Sequence, residues 1–182
     1  MIKFILDTAV MKHKFFITIL TAITLIITSC SKDKSPYIPD TSSNNVSATI
    51  SIGNNAPFQF SVTGAEARMY PLLANPSTYR IEAKDANNNY LIIVVENVTQ
   101  TGIYTFTSNN GIGSGLTFQK NGIGPTSQLI YWTSDPSIIN KGSLTITVLN
   151  SHHIEGVFNA FCERQDASEA AQVSNGSFKG NF

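Results

Sequence analysis

Charge is scarce in this sequence. Asp, Glu, Lys and Arg make up 13% of its 182 residues, about half the usual share of roughly 25%. Acids and bases balance, and the formal net charge is zero. A nucleic-acid surface needs a basic patch or stripe, and nothing in the chain suggests one. Histidine is limited to His13, His152 and His153, a thin supply for metal or acid–base chemistry. The two cysteines, Cys30 and Cys162, lie in segments of different character and make no disulfide framework. No apolar run reaches the ~20 residues of a membrane-spanning helix. No stretch carries a convincing helical pattern either. What remains is a chain of one-domain length, with a polar surface supplied mainly by Ser, Thr, Asn and Gln.

The longest apolar run is Phe15–Ile27, FFITILTAITLII, thirteen residues without a charge. That length matches a signal-peptide h-region of roughly 7–15 residues. Met11-Lys12-His13-Lys14 stands before it as a basic n-region. Residues 1–10 fit poorly, because they add Asp7 and a second apolar patch upstream. The natural start is therefore expected at Met11. Ile27-Thr28-Ser29-Cys30 closes the run and resembles the bacterial lipobox. The resemblance implies a signal peptide over residues 1–29. It also implies that the Cys30 thiol is alkylated by a diacylglyceryl group, and that the new amino terminus is acylated with a palmitate-type chain. Two or more chains give stable anchoring where one gives only marginal binding. The alternative is an ordinary signal peptide that happens to end at a cysteine.

Ser31-Lys32-Asp33-Lys34 has no aspartate directly after the cysteine. This argues against inner-membrane retention and resembles the surface-export signals of Bacteroidota lipoproteins. Outer-membrane attachment facing the periplasm is the alternative. Residues 30–45 then read as lipidated cysteine plus flexible linker, polar and with two prolines.

From Val46 onward the dominant period is two. Val46, Ala48, Ile50 and Ile52 alternate with Ser47, Thr49 and Ser51, and Phe58, Phe60 and Val62 alternate with Gln59, Ser61 and Thr63. A Gly53-Asn54-Asn55 turn lies between, so the pair reads as a hairpin with one wet face. Further strands are expected at 77–83, 90–97, 102–107, 116–120, 128–133, 143–149, 153–163 and 177–182. Tyr90–Val95 is apolar on both faces, which predicts a central strand covered on both sides. Residues 65–73 and 166–173 offer a helical turn or so, with Pro71 limiting the first. About ten short strands separated by turns predict an all-β antiparallel sandwich or barrel over residues 46–182.

The C-terminal pattern "GSLTITVLNSHHIEGVFNAFCERQ … VSNGSFKGNF", with "TGIYTF" and "SATISIGNNAPFQFSV" upstream, resembles small uncharacterised lipoproteins of Bacteroidota. They form a domain-of-unknown-function family. The resemblance implies an address and a fold and carries no activity. Cys162 stands where the pattern favours a small, alanine-like residue.

Candidate chemistry is thin. Asp85, Asn87, Asn89 and Glu96 occupy positions 1, 3, 5 and 12 of a calcium loop, but position 6 is Tyr90 where glycine belongs. A strand would also carry Glu96 away from the turn, so a polar hairpin turn is expected. His152-His153 cannot chelate one metal from a regular strand, whose neighbours point to opposite faces. Cys162 shares a face with Ile154, Gly156, Phe158 and Ala160, so core packing is expected. Gly111–Gly115, GIGSG, lacks the strand–turn–helix setting of a nucleophile elbow or dinucleotide fingerprint. Asn110–Gly113 and Asn121–Gly124 repeat one Asn-Gly-Ile-Gly turn. Tyr131-Trp132 is the one ligand-binding candidate, with one ring expected in the core and the other available for stacking.

The expectation is a lipid-anchored envelope protein whose β-domain works by binding or structural contact. It takes no cofactor and no metal, and has no catalytic role. The membrane is its first partner, and a glycan or an envelope protein the second. A lipocalin-like carrier of an apolar ligand is the alternative, and an enzyme ranks third.

Overall fold

Side chains alternate between core and solvent along almost every strand, and the architecture follows from that alternation. A computed structural model describes residues 37–107, 113–121, 129–133, 141–164 and 168–182. Met11, Cys30, the lipobox, the charges at 32–34 and most of both Asn-Gly-Ile-Gly copies lie outside the described residues. Residues Pro39–Phe182 form one compact unit.

Eleven strands are described: β1 (Asn45–Ile52), β2 (Phe58–Thr63), β3 (Ala67–Leu72), β4 (Asn75–Lys84), β5 (Tyr90–Val95), β6 (Gly102–Thr105), β7 (Gly115–Lys120), β8 (Leu129–Trp132), β9 (Gly142–Leu149), β10 (His153–Arg164) and β11 (Ala170–Asn181). Pairing is antiparallel throughout. The strand order is β2-β1-β11-β10-β8-β7-β5-β4-β3, with β9 and then β6 branching from β10. The path ends at β2 and β3 without closing into a barrel. The fold is therefore sandwich-like.

The branch at β10 makes the two layers. Ile154–Ala160 pair with β9, whereas Glu163 and Arg164 pair with β8. One long strand thus leaves the first layer and enters the second, as corner strands do in crossed sandwiches. Contacts between the layers show the crossing. Phe118 of β7 packs on Phe58 and Phe60 of β2, with ring centroids 6.1 and 6.4 Å apart. Two residues away, the Leu116 carbonyl lies 3.9 Å from Cys162 Sγ of β10. Since β1 and β11 separate β2 from β10, β7 runs across the strands of the first layer. Ile50, Phe60, Ile81, Ile93, Phe118 and Tyr131 are fully buried between the layers. Each contributes roughly 1.5–3 kcal/mol by its burial.

Four expectations need correction. Residues 65–73 form a 3-10 turn at Gly64–Glu66 and then β3. Ala67 and Met69 face the core while Pro71 sits on a strand with one neighbour, where a missing N–H disturbs no ladder. Residues 170–173 belong to β11, which is twice the length expected for the closing strand. Strand β5 is interior to its sheet, but Tyr90, Ile92 and Val94 are only half-buried, so one of its faces is partly wet. The end of the linker is folded: Asn44 is buried, its Nδ2 donates to the Ala67 carbonyl at 3.0 Å, and its Oδ1 accepts from the Asn181 N–H at 2.8 Å.

Two aromatic–glycine pairs explain the C-terminal pattern. Phe158 lies opposite Gly176, and Phe178 lies opposite Gly156. A Cβ on Gly176 would come within 2.5 Å of the Phe158 ring, and one on Gly156 within 2.5 Å of the Phe178 ring. Each glycine makes room for the partner strand's ring, and the two rings pack at 6.3 Å. Ile-x-Gly-x-Phe and Asn-Gly-Ser-Phe are two halves of one packing unit.

Candidate functional site

The residues singled out by sequence divide between core and turns. Tyr131 is fully buried, stacks on Phe118 at 6.2 Å, and donates its hydroxyl to Glu169 Oε2 at 2.7 Å. That ring is part of the core and unavailable to a ligand on the outer surface. Trp132 pairs with Thr117 and Glu163; its side chain lies outside the described part. Cys162 is fully buried, and burial pushes its thiol far above the ordinary range. A nucleophilic thiol needs the opposite shift.

Asp85 serves its own turn. Its Oδ1 accepts the N–H groups of Asn87 and Asn89 at 2.8 and 2.9 Å, and its Oδ2 accepts Asn89 Nδ2 at 2.8 Å. Asn88 adopts the left-handed conformation with φ 60°. Asn89 Oδ1 in turn receives the Asn121 N–H at 3.0 Å. The carboxylate and amides are thus engaged in hydrogen bonds within the turn and to Asn121. Glu96 lies beyond the far end of β5, where its N–H donates to Ser114 Oγ at 2.9 Å, so the serine of GIGSG accepts a structural bond. His152 sits in the β9–β10 turn and His153 begins β10. His153 Nε2 donates to Glu155 Oε1 at 2.7 Å, and Nδ1 lies 2.6 Å from Asn181 Oδ1. Bonds from His153 and Lys179 hold the Glu155 carboxyl below the usual carboxylate range.

The outer faces of the two layers differ in chemistry. On the β3–β4–β5–β7 face, a hollow of about 500 Å³ is lined by Glu66, Arg68, Glu82, Lys84, Tyr90 and Ile92. Most of its charge is already engaged: Glu82 pairs with Arg80, Lys84 lies over the Tyr90 ring at 5.4 Å, and Arg68 Nε donates to the Ala65 carbonyl at 3.3 Å.

The outer face of β9–β10–β11 holds an uncharged groove. Two adjoining open hollows of about 530 and 520 Å³ share Asn159 and Ser174. Phe161 and Gln172 line one, Val157, Thr145 and Asn175 the other. Among the described residues, no Asp, Glu, Lys or Arg lines either hollow. The groove arises where β11 carries an extra residue. Val173 to Gly176 spans the same ladder as Phe158 to Ala160, and Ser174 to Ser177 the same as Ser47 to Thr49. Asn175 takes φ 50° at this bulge. A bulge bends its strand and increases the local twist, which hollows the face.

Around the groove, Ser143, Thr145, Asn159, Gln172 and Asn175 make no side-chain hydrogen bond to another described residue. Phe161 is 36% exposed and Val157 is 50% exposed. Sequence reasoning passed over these residues although the signal was present. Val157 and Phe161 occupy wet positions in the β10 alternation, where polar residues are expected. No known protein family matches the chain, and no curated protein or solved structure is significantly similar to it.

Proposed function

We propose that this chain is a lipid-anchored protein of the bacterial outer membrane, of the kind found among small Bacteroidota lipoproteins, whose β-domain acts by binding and not by catalysis. The observation that carries the binding reading is the uncharged groove on β9–β10–β11. Its lining is amide, hydroxyl and hydrocarbon, and none of these groups titrates near neutrality. Such a surface suits recognition and offers no general acid or base. The address rests on Ile27–Cys30 after thirteen uncharged apolar residues. Nine residues, 31–39, separate Cys30 from Asp40 and reach at most about 30 Å. The domain therefore works close to the bilayer, on the cell surface or, alternatively, on the periplasmic side.

The carrier reading has less support. The space between the layers is occupied by Phe60, Phe118, Tyr131 and their neighbours, and the sheet does not close around a cavity. The anchor is tested by Cys30→Ala in the producing cell, with membrane fractionation and acyl labelling. The substitution is expected to abolish labelling and release the protein. Unchanged membrane retention with unchanged labelling refutes the anchor.

A further inference from the structure

The outward side of β10 sets Val157, Asn159 and Phe161 in line. Successive members of this row lie about 7 Å apart. Beside them stand Thr145 and Ser143 on β9, and Gln172 and Asn175 on β11. Apolar platforms therefore flank an amide, with hydroxyls on one side and amides on the other. We propose that this groove binds a neutral oligosaccharide laid along β10, with one sugar ring against Phe161 and its hydroxyls bonded to Asn159, Gln172 and Asn175. This rests on the reading that the domain acts by binding, and adds the class of ligand.

Charge is the first argument. An anionic polysaccharide, a nucleic acid or a charged peptide gains nothing from a lining whose described residues carry no ionisable side chain. Charged groups flank both ends of the row and are already engaged: Glu155 pairs with His153 and Lys179 at one end, and Lys141 and Glu163, beside Phe161 at the other, each have a partner. Hydrogen-bonding capacity is the second. Each amide offers two N–H donors and a carbonyl acceptor, and each hydroxyl is both donor and acceptor. A sugar hydroxyl also donates and accepts, so a mixed set of unengaged amides and hydroxyls is its complement. The third is the alternation of apolar and polar contacts. A sugar ring has C–H faces and a polar rim, and an exposed aromatic with a branched aliphatic beside amides meets both. The shape agrees: two joined, open hollows of about 530 and 520 Å³ each fall within the range of ligand sites, and they form a trough suited to a chain. These side chains stand on paired strands, which pre-organises them and lowers the ordering cost of binding.

The test uses the full-length acylated chain in detergent micelles. It is exposed to an array of neutral probes (glucans, xylans, mannans and N-acetylglucosamine oligomers) and two anionic ones, polygalacturonate and hyaluronate. The best neutral probe is then titrated against wild type, Asn159→Ala, Phe161→Ala, Gln172→Ala and, on the opposite face, Lys84→Ala. Binding of a neutral probe is expected, insensitive to salt. Each groove variant should weaken it by about 3–10-fold, and Lys84→Ala should leave it unchanged. All four positions lie on the surface, and circular dichroism with a melting curve verifies each fold. Three outcomes overturn the proposal: no probe binds; only anionic probes bind and salt abolishes this; or the groove variants bind as wild type does. Capture of a protein partner lost with the same variants overturns the sugar assignment and leaves the binding reading standing. Cys30-dependent membrane retention is scored separately, so failure of the anchor and failure of the groove are distinguishable.

Discussion

At the residue scale, burial decides what Cys162 and Tyr131 can do. Both side chains are fully enclosed, yet one is a thiol without a catalytic setting and the other a phenol that keeps a partner in Glu169. The raised thiol pKa follows from desolvation of the thiolate. In the Cys30→Ala chain Cys162 is the sole cysteine, so its reactivity can be read directly. Iodoacetamide should leave it unmodified under native conditions at pH 8. Labelling followed by mass spectrometry across a urea gradient should rise only with the unfolding transition. Rapid alkylation of the native protein would show that the site opens. Cys162 was legible in advance because it falls in step with Ile154, Gly156, Phe158 and Ala160. The partner of Tyr131 was not legible, since Glu169 is separated from it by 38 positions.

At the scale of elements, strand identity came from period-two alternation and failed where the alternation is broken. Strand β3 reads Ala-Arg-Met-Tyr-Pro-Leu. Its small first core residue and its proline blur the pattern, and pairing with β4 decides the outcome. Strand β11 is interrupted by its bulge, which hides Ala170–Val173 from any alternation counted back from the C-terminus. The glycines show the same dependence on a partner. Gly176 is required by the Phe158 ring opposite it, and a methyl there must displace that ring or its carbonyl, 2.6 Å away. Gly176→Ala should therefore lower stability by about 1–3 kcal/mol, as overpacked cores do, measured from urea midpoints at constant slope. Adding Phe158→Leu should recover part of the loss. An additive double variant would show that the two positions are not coupled.

At the scale of the whole molecule, Phe118 joins what the chain separates. Its ring meets Phe58, Phe60 and Tyr131, bringing β2, β7 and β8 together at the crossing of the layers. Phe118→Ala should cost roughly 3–5 kcal/mol and lower the melting temperature of the whole domain in one cooperative step. Loss of only the second layer, seen as two separate transitions, would show that the layers fold independently. The candidate groove belongs to this scale too, because three strands and one bulge build it.

The sequence by itself determined the β class, the wet and dry faces of most strands, the polar turn at Asp85 and the enclosure of Cys162. All of these depend on near neighbours and on a period of two, and both can be read along a single stretch of chain. Only the tertiary structure decided the fork at β10, the crossing of the layers, the open path from β2 to β3, the folded end of the linker at Asn44 and the uncharged groove. These depend on which strand lies beside which, and on where an extra residue in β11 is absorbed. Register between distant segments is set by packing across the whole core, and no local pattern carries it.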